Sequence, residues 1–138
     1  MTRIWTDGSF KWDVNLNSKE KVGRIAYKLN KRKVKVEEIS VPEIPGLKQY
    51  SNIFELLAVL EAIKRTRAKR VQIFTDSQTT YAWIKSGKNL YNLSELHGRI
   101  NMEIQERIKR FKKFSINLIK REKNPAGRVL EKSELPEN

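Results

Sequence analysis

Three acidic residues set within short apolar runs constrain this chain more than any other feature. Asp7 lies in Ile4-Trp5-Thr6-Asp7-Gly8-Ser9, and Glu55 in Asn52-Ile53-Phe54-Glu55-Leu56-Leu57-Ala58. Asp76 lies in Val71-Gln72-Ile73-Phe74-Thr75-Asp76-Ser77-Gln78. A carboxylate beside that much apolar surface is costly unless its charge is offset. A divalent cation offsets it, and three separated carboxylates could converge to hold one or two.

The pattern between them predicts the elements. Residues 2–12 read as a strand, with Ile4 and Thr6 on one side and Trp5 and Asp7 on the other. Residues 13–20 read as a loop, and two strands follow near 22–30 and 33–41, joined by a tight hairpin at Leu29-Asn30-Lys31-Arg32-Lys33. Pro42, Pro45 and Gly46 end that segment. Ile53, Leu56, Leu57, Leu60 and Ile63 recur at helical spacing, which predicts a helix over 51–66 with Ser51 or Asn52 as its cap and Glu55 in its first turn. A fourth strand covers 70–75, and a short helix over 78–85 ends at Ser86-Gly87. A long helix covers 93–113, with Leu93, Leu96, Ile100, Ile104, Ile108 and Phe111 as its buried stripe. A fifth strand covers 115–120, and a short helix starts at about Asn124. Hairpin strands followed by strand–helix–strand crossovers imply an α/β domain: a mixed five-stranded sheet, three strands antiparallel and then two parallel, flanked by helices. One domain over residues 1–132 is expected, with a frayed tail at 133–138.

Composition narrows the partner. Lys and Arg number 29 against 16 Asp and Glu, a net charge of +13, which favours a polyanion. No stretch joins a basic face to a long apolar one, and no run is long and apolar enough to span a bilayer, so a membrane partner is not expected. The absence of cysteine excludes disulfides and thiolate metal sites. A strand-like start with no signal peptide points to a cytoplasmic, monomeric protein without an obligate protein partner.

Each acid alone has an ordinary role open to it. Asp7-Gly8-Ser9 suits a turn, Glu55 could complement a helix dipole, and Asp76 before Ser77 could cap a helix. Together, in order, spacing and neighbours, they make the chain resemble type 1 ribonuclease H from Ile4 to about Glu131. The resemblance implies a metal-dependent endoribonuclease that cuts the RNA strand of RNA–DNA hybrids, leaving 5′-phosphate and 3′-hydroxyl ends. Asp7, Glu55 and Asp76 would be both catalytic residues and ligands of Mg²⁺, or alternatively Mn²⁺. Asn52 and Gln78 match polar residues that contact the hybrid, with Gly8, Ser9 and Ser77 beside the acids. Trp83, Lys85 and Lys88 match a platform for the DNA strand, although Trp83 could equally be core.

The tail departs from that pattern. Counting from Asn124 puts Arg128 where a fourth metal-site Asp belongs, and a shift of one puts Gly127 there; neither side chain ligates metal. Glu131, one turn later, is a candidate replacement; alternatively three carboxylates suffice, or the protein is a hybrid- or double-stranded-RNA-binding module without turnover. The family's mobile His is also missing, since the single His97 lies on the long helix. Arg121 and Asn124 are candidates for substrate contact instead. Lys and Arg also cluster near 28–35, 65–70 and 109–113, most of them expected on solvated faces.

Overall fold

The computed structural model describes residues 1–10 and 19–134, with side chains placed through residue 132. Most of the expected loop at 13–20 and the last residues of the expected tail fall outside them. Five strands form one sheet: β1 (Thr2–Phe10), β2 (Glu20–Leu29), β3 (Lys35–Pro42), β4 (Arg70–Thr75) and β5 (Lys113–Leu118), in the order β3-β2-β1-β4-β5. The first three are antiparallel, and β1–β4 and β4–β5 are parallel. This is the mixed architecture the periodicity predicts. At the β2–β3 hairpin Asn30 has φ 50°, a left-handed conformation that Asn tolerates better than most residues.

The four helices are α1 (Ser51–Arg65), α2 (Gln78–Ser86), α3 (Glu95–Ile108) and α4 (Pro125–Glu134). Helix α1 packs on β1 and β2, with α2 and α3 beside it, over a core that includes Ile4, Ile25, Phe54, Val59 and Ile73. Helix α4 covers the opposite face, where Ala126 and Leu130 meet Ala26 and Trp5. Gly23 lies under the Phe54 ring, where any Cβ would come within 2.6 Å. That bare position lets Phe54 bury completely, a contribution of roughly 1.5–3 kcal/mol.

Several predicted boundaries move, for tertiary reasons. Neither Ser51 nor Asn52 caps α1; Tyr50 precedes the helix without a side-chain cap bond, and its buried ring fixes the approach instead, with its hydroxyl accepting from Ile44 N at 2.9 Å. Glu55 is therefore the fifth helical residue, in the second turn. The long helix is shorter than expected: Ser94 caps it, and it gives way to a turn at 109–112 whose Lys112 N–H donates to Lys69 O at 2.7 Å. Leu93 falls outside the helix and is exposed rather than part of its buried stripe. Helix α4 continues to Glu134, past the expected domain limit at 132.

Candidate active site

The site forms where β1 and β4 carry their acids to the same level of the sheet. The parallel pairing aligns Trp5 with Phe74, so Asp7 and Asp76 stand side by side two residues further on. Gly8 determines how Glu55 joins them. A Cβ at Gly8 would lie 2.3–2.5 Å from the Phe54 carbonyl and Glu55 N, so the α1 backbone rests directly on β1 there. Asp7, Glu55 and Asp76 each offer one carboxylate oxygen within 4.8 Å of the others.

Local chemistry frees Asp76 for this cluster. The cap of α2 is Ser77, whose Oγ accepts from Thr80 N at 3.1 Å. Ser77 N itself donates to Thr75 Oγ1 at 3.1 Å. The turn after β4 is thus closed without the Asp76 carboxylate. Ser77, expected to contact substrate, spends its side chain on the cap.

Asn124 holds Asp76 from behind. Its Nδ2 donates to Asp76 Oδ2 at 2.8 Å and to Thr6 O at 2.9 Å, while its Oδ1 accepts from Ala126 N at 3.1 Å. Asn124 is fully buried. The expectation that it touches substrate is corrected: every side-chain atom able to bond is engaged inside the protein. The signal for this was in the sequence, since Asn followed by Pro is the cap and first residue of a helix.

The ambiguity over the fourth position also resolves. Gly127 faces the acids: a Cβ there would stand 3.1 Å from Asp7 Oδ2 and 3.3 Å from Asp76 Oδ2. Arg128, the next residue of α4, is exposed. Glu131 is exposed too and is not one of the three converging acids.

The electrostatics are those of a site short of positive charge. Two unit charges 4.8 Å apart repel by about 3 kcal/mol at an effective dielectric near 20. Burial, opposed by the hydrogen bond from Glu55 and reinforced by the Asp76 charge, pushes Asp7 up to about 6. Burial first, then the Asp7 charge and the bond donated to Asp7, raise Glu55 well above the usual carboxylate range. The Arg121 guanidinium partly offsets both from the exposed turn before α4. Asp7 Oδ1 and Glu55 Oε2 are buried without a hydrogen-bond partner. Hard carboxylate oxygens, close together and unsatisfied, are the donor set that Mg²⁺ or Mn²⁺ takes.

The remaining predicted residues surround this centre less closely. Asn52 is half-buried in the first turn of α1, Gln78 is exposed at the start of α2, and Ser9 is half-buried on β1. Trp83 is half-buried against the main core and packs edge-on to His97 at 6.0 Å. His97 is itself core, with Nδ1 2.6 Å from Ser94 Oγ, and burial lowers its pKa. Lys85 donates to Tyr81 Oη at 2.8 Å, and Lys88 is exposed after α2.

Comparison with known proteins agrees with this geometry. The RNase H family model matches residues 1–124, most of the chain. The chain belongs to the RNase H family. The match ends at Asn124, just before α4. RNase H1 from the halophilic archaeon Halobacterium salinarum NRC-1 superposes with a TM-score of 0.68 at 14% identity, over 94% of this chain and 92% of that one. The N-terminal RNase H domain of Rv2228c from Mycobacterium tuberculosis gives 0.69 at 10% identity, over 94% of each chain. LC11-RNase H1, solved in complex with an RNA/DNA hybrid, gives 0.61 at 17% identity, over 94% and 93%. At such identities these likenesses establish the RNase H fold. No curated protein sequence matches the chain. Among the described residues no helix is long and apolar enough to cross a membrane.

Proposed function

We propose that this protein is a divalent-metal-dependent endoribonuclease that hydrolyses the RNA strand of RNA–DNA hybrids, leaving 5′-phosphate and 3′-hydroxyl ends. The observation that carries this reading is the convergence of Asp7, Glu55 and Asp76, with two buried carboxylate oxygens unpartnered, in a chain of the RNase H family. Mg²⁺ or Mn²⁺ held by these acids would supply an activated water and neutralise charge at the phosphorus and the leaving oxygen. Asp7 and Glu55 would have to release their protons to hold the cation, so affinity should rise with pH. Asn124 keeps Asp76 turned toward the cluster. Gly127 puts no side chain between α4 and the Asp7 and Asp76 oxygens. Arg121 places a positive charge where the scissile strand would lie, and Asn52 and Gln78 flank the acids for contact with the minor groove of a helix with RNA character. The hybrid bound in the LC11-RNase H1 structure supports the choice of substrate.

One observation favours a second reading. Gly127 supplies no fourth carboxylate, which suits a module that binds hybrid or double-stranded RNA without cutting it. A labelled RNA–DNA hybrid, with matched RNA–RNA and DNA–DNA duplexes, separates the two. Metal-dependent cutting of only the hybrid's RNA strand, abolished by EDTA, is expected. Tight hybrid binding with no cleavage in either metal would replace the enzyme by the module.

A further inference from the structure

The opposite end of the sheet carries a second concentration of charge, of the other sign. Two adjoining cavities of about 430 and 410 Å³, both lined by Thr2 and Ala68, run along the edge where β1 and β4 begin. Arg32, Arg65, Arg67, Lys69, Arg70 and Lys112 line them, and no acidic residue does. Arg65 pairs with Glu61 at 2.8 Å, but the other five have no ion-pair partner among the described residues. The backbone holds part of this group together: Lys112 N and Lys113 N both donate to Lys69 O, at 2.7 and 3.3 Å. Among the described residues some other cations do have an acid beside them, as Glu103 stands beside Lys64 and Arg107, and Glu106 beside Lys109. A fixed group of like charges without counter-charge favours an incoming polyanion.

We propose that this groove is a second nucleic-acid contact, one that holds the phosphate backbone of a duplex without reading its sequence. Neighbouring strands lie about 4.8 Å apart, so the row of cations along their ends can meet successive phosphates. No aromatic side chain lines either cavity, which excludes base stacking and leaves backbone contact. An anionic membrane fits poorly, because Met1 is the only exposed large apolar side chain along the groove. Asp76 lies six residues beyond Arg70 along β4 and its following turn, roughly 20 Å at 3.3 Å per residue. The groove is therefore a contact separate from the carboxylates. This contact would keep the protein on nucleic acid between cuts.

The test needs no cleavage, so its outcome is independent of the proposed activity. Binding of a fluorescent DNA–DNA duplex of about 30 base pairs is measured by anisotropy in EDTA over a range of salt. The triple variant Arg67→Gln, Lys69→Gln, Lys112→Gln is compared with a control set at exposed sites elsewhere, Lys48→Gln, Arg99→Gln, Lys109→Gln. Each lost phosphate contact reduces the slope of log affinity against log salt by about 0.9. The groove variant should lower the slope by about 2 to 3 and low-salt affinity at least tenfold, and the control should lower the slope by less than about 1. Equal changes in both sets, or an unchanged slope in a groove variant whose melting matches the parent, would overturn the proposal. So would loss of binding to anionic phospholipid vesicles with duplex binding intact. Should the triple variant not fold, the three single substitutions each lower the slope by about 1 if the proposal holds, and by nothing if it does not.

Discussion

The two walls of the acid cluster are built in opposite ways. On one side β1 and α1 each deliver a carboxylate from regular secondary structure and the turn after β4 delivers the third, with close backbone contact at Gly8 bringing α1 onto β1. On the other side α4 delivers no side chain into the group: Gly127 faces the acids, Arg128 is exposed, and Glu131 is exposed and outside the converging carboxylates. Helix α4 still serves the site, through the residue that starts it, because Asn124 caps α4 and orients Asp76 with one amide. The difference shows that a helix can contribute to a metal centre by orientation and by leaving space, as well as by ligands.

Removing an acid from the ligand wall should have the largest effect. Asp76→Asn or Asp7→Asn should lower RNA-strand cleavage by on the order of a thousandfold or more, with the circular dichroism spectrum unchanged. Cleavage within tenfold of the parent would break the comparison at its stronger side.

Next comes the orienting residue. Asn124→Ala should lower metal affinity or cleavage by about 10- to 100-fold, as loss of a group that orients a ligand does. It should also destabilise the fold by about 1–3 kcal/mol, since Thr6 O and Asp76 lose a buried donor. Denaturant unfolding and metal titration report the two effects separately.

A smaller effect sharpens the role of the open wall. Gly127→Ala should gain helix propensity, up to about 1 kcal/mol, yet press a methyl group on the Asp7 and Asp76 oxygens. Metal affinity should fall roughly three- to tenfold, measured by calorimetry, without loss of thermal stability. Unchanged affinity would mean that the space beside Gly127 is irrelevant to the centre.

The smallest effect is on stability against pH. Asp7 is raised from 3.8 to about 6 and Glu55 is raised further above its ordinary range, so the folded, metal-free protein retains protons that the unfolded chain has released. The folded state then binds more protons from about pH 4 upward through 6 and beyond, and these two groups make stability fall as pH rises across that window. Asp7→Asn or Glu55→Gln should raise the unfolding temperature in EDTA at pH 8 by a few degrees and flatten its decline from pH 5 to 8. Lower stability in both variants at pH 8 would contradict the crowding of these acids.

The sheet and its acids were legible in the sequence because period-two and period-3.6 patterns report burial directly. The three acids stood out because each interrupts an apolar run. Features set by tertiary contact were not legible. The start of α1 depends on where the Tyr50 ring buries, and the end of α3 on the turn that meets Lys69 O. Gly8 reads as a turn residue until α1 is found lying on it. The choice between Gly127 and Arg128 could have been made from Asn124-Pro125 as a helix cap, which fixes the face each later residue occupies. No periodicity reports that Asn124 reaches Asp76, 48 residues away in sequence.

The measurement that tests the central claim most directly is Mn²⁺ binding, followed by electron paramagnetic resonance of the free ion, for the wild type, Asp76→Asn and Glu131→Gln. Three carboxylates without a ligand from α4 predict binding by the wild type and by Glu131→Gln alike, and its loss in Asp76→Asn. Loss in Glu131→Gln, undiminished binding by Asp76→Asn, or no binding by the wild type would contradict it.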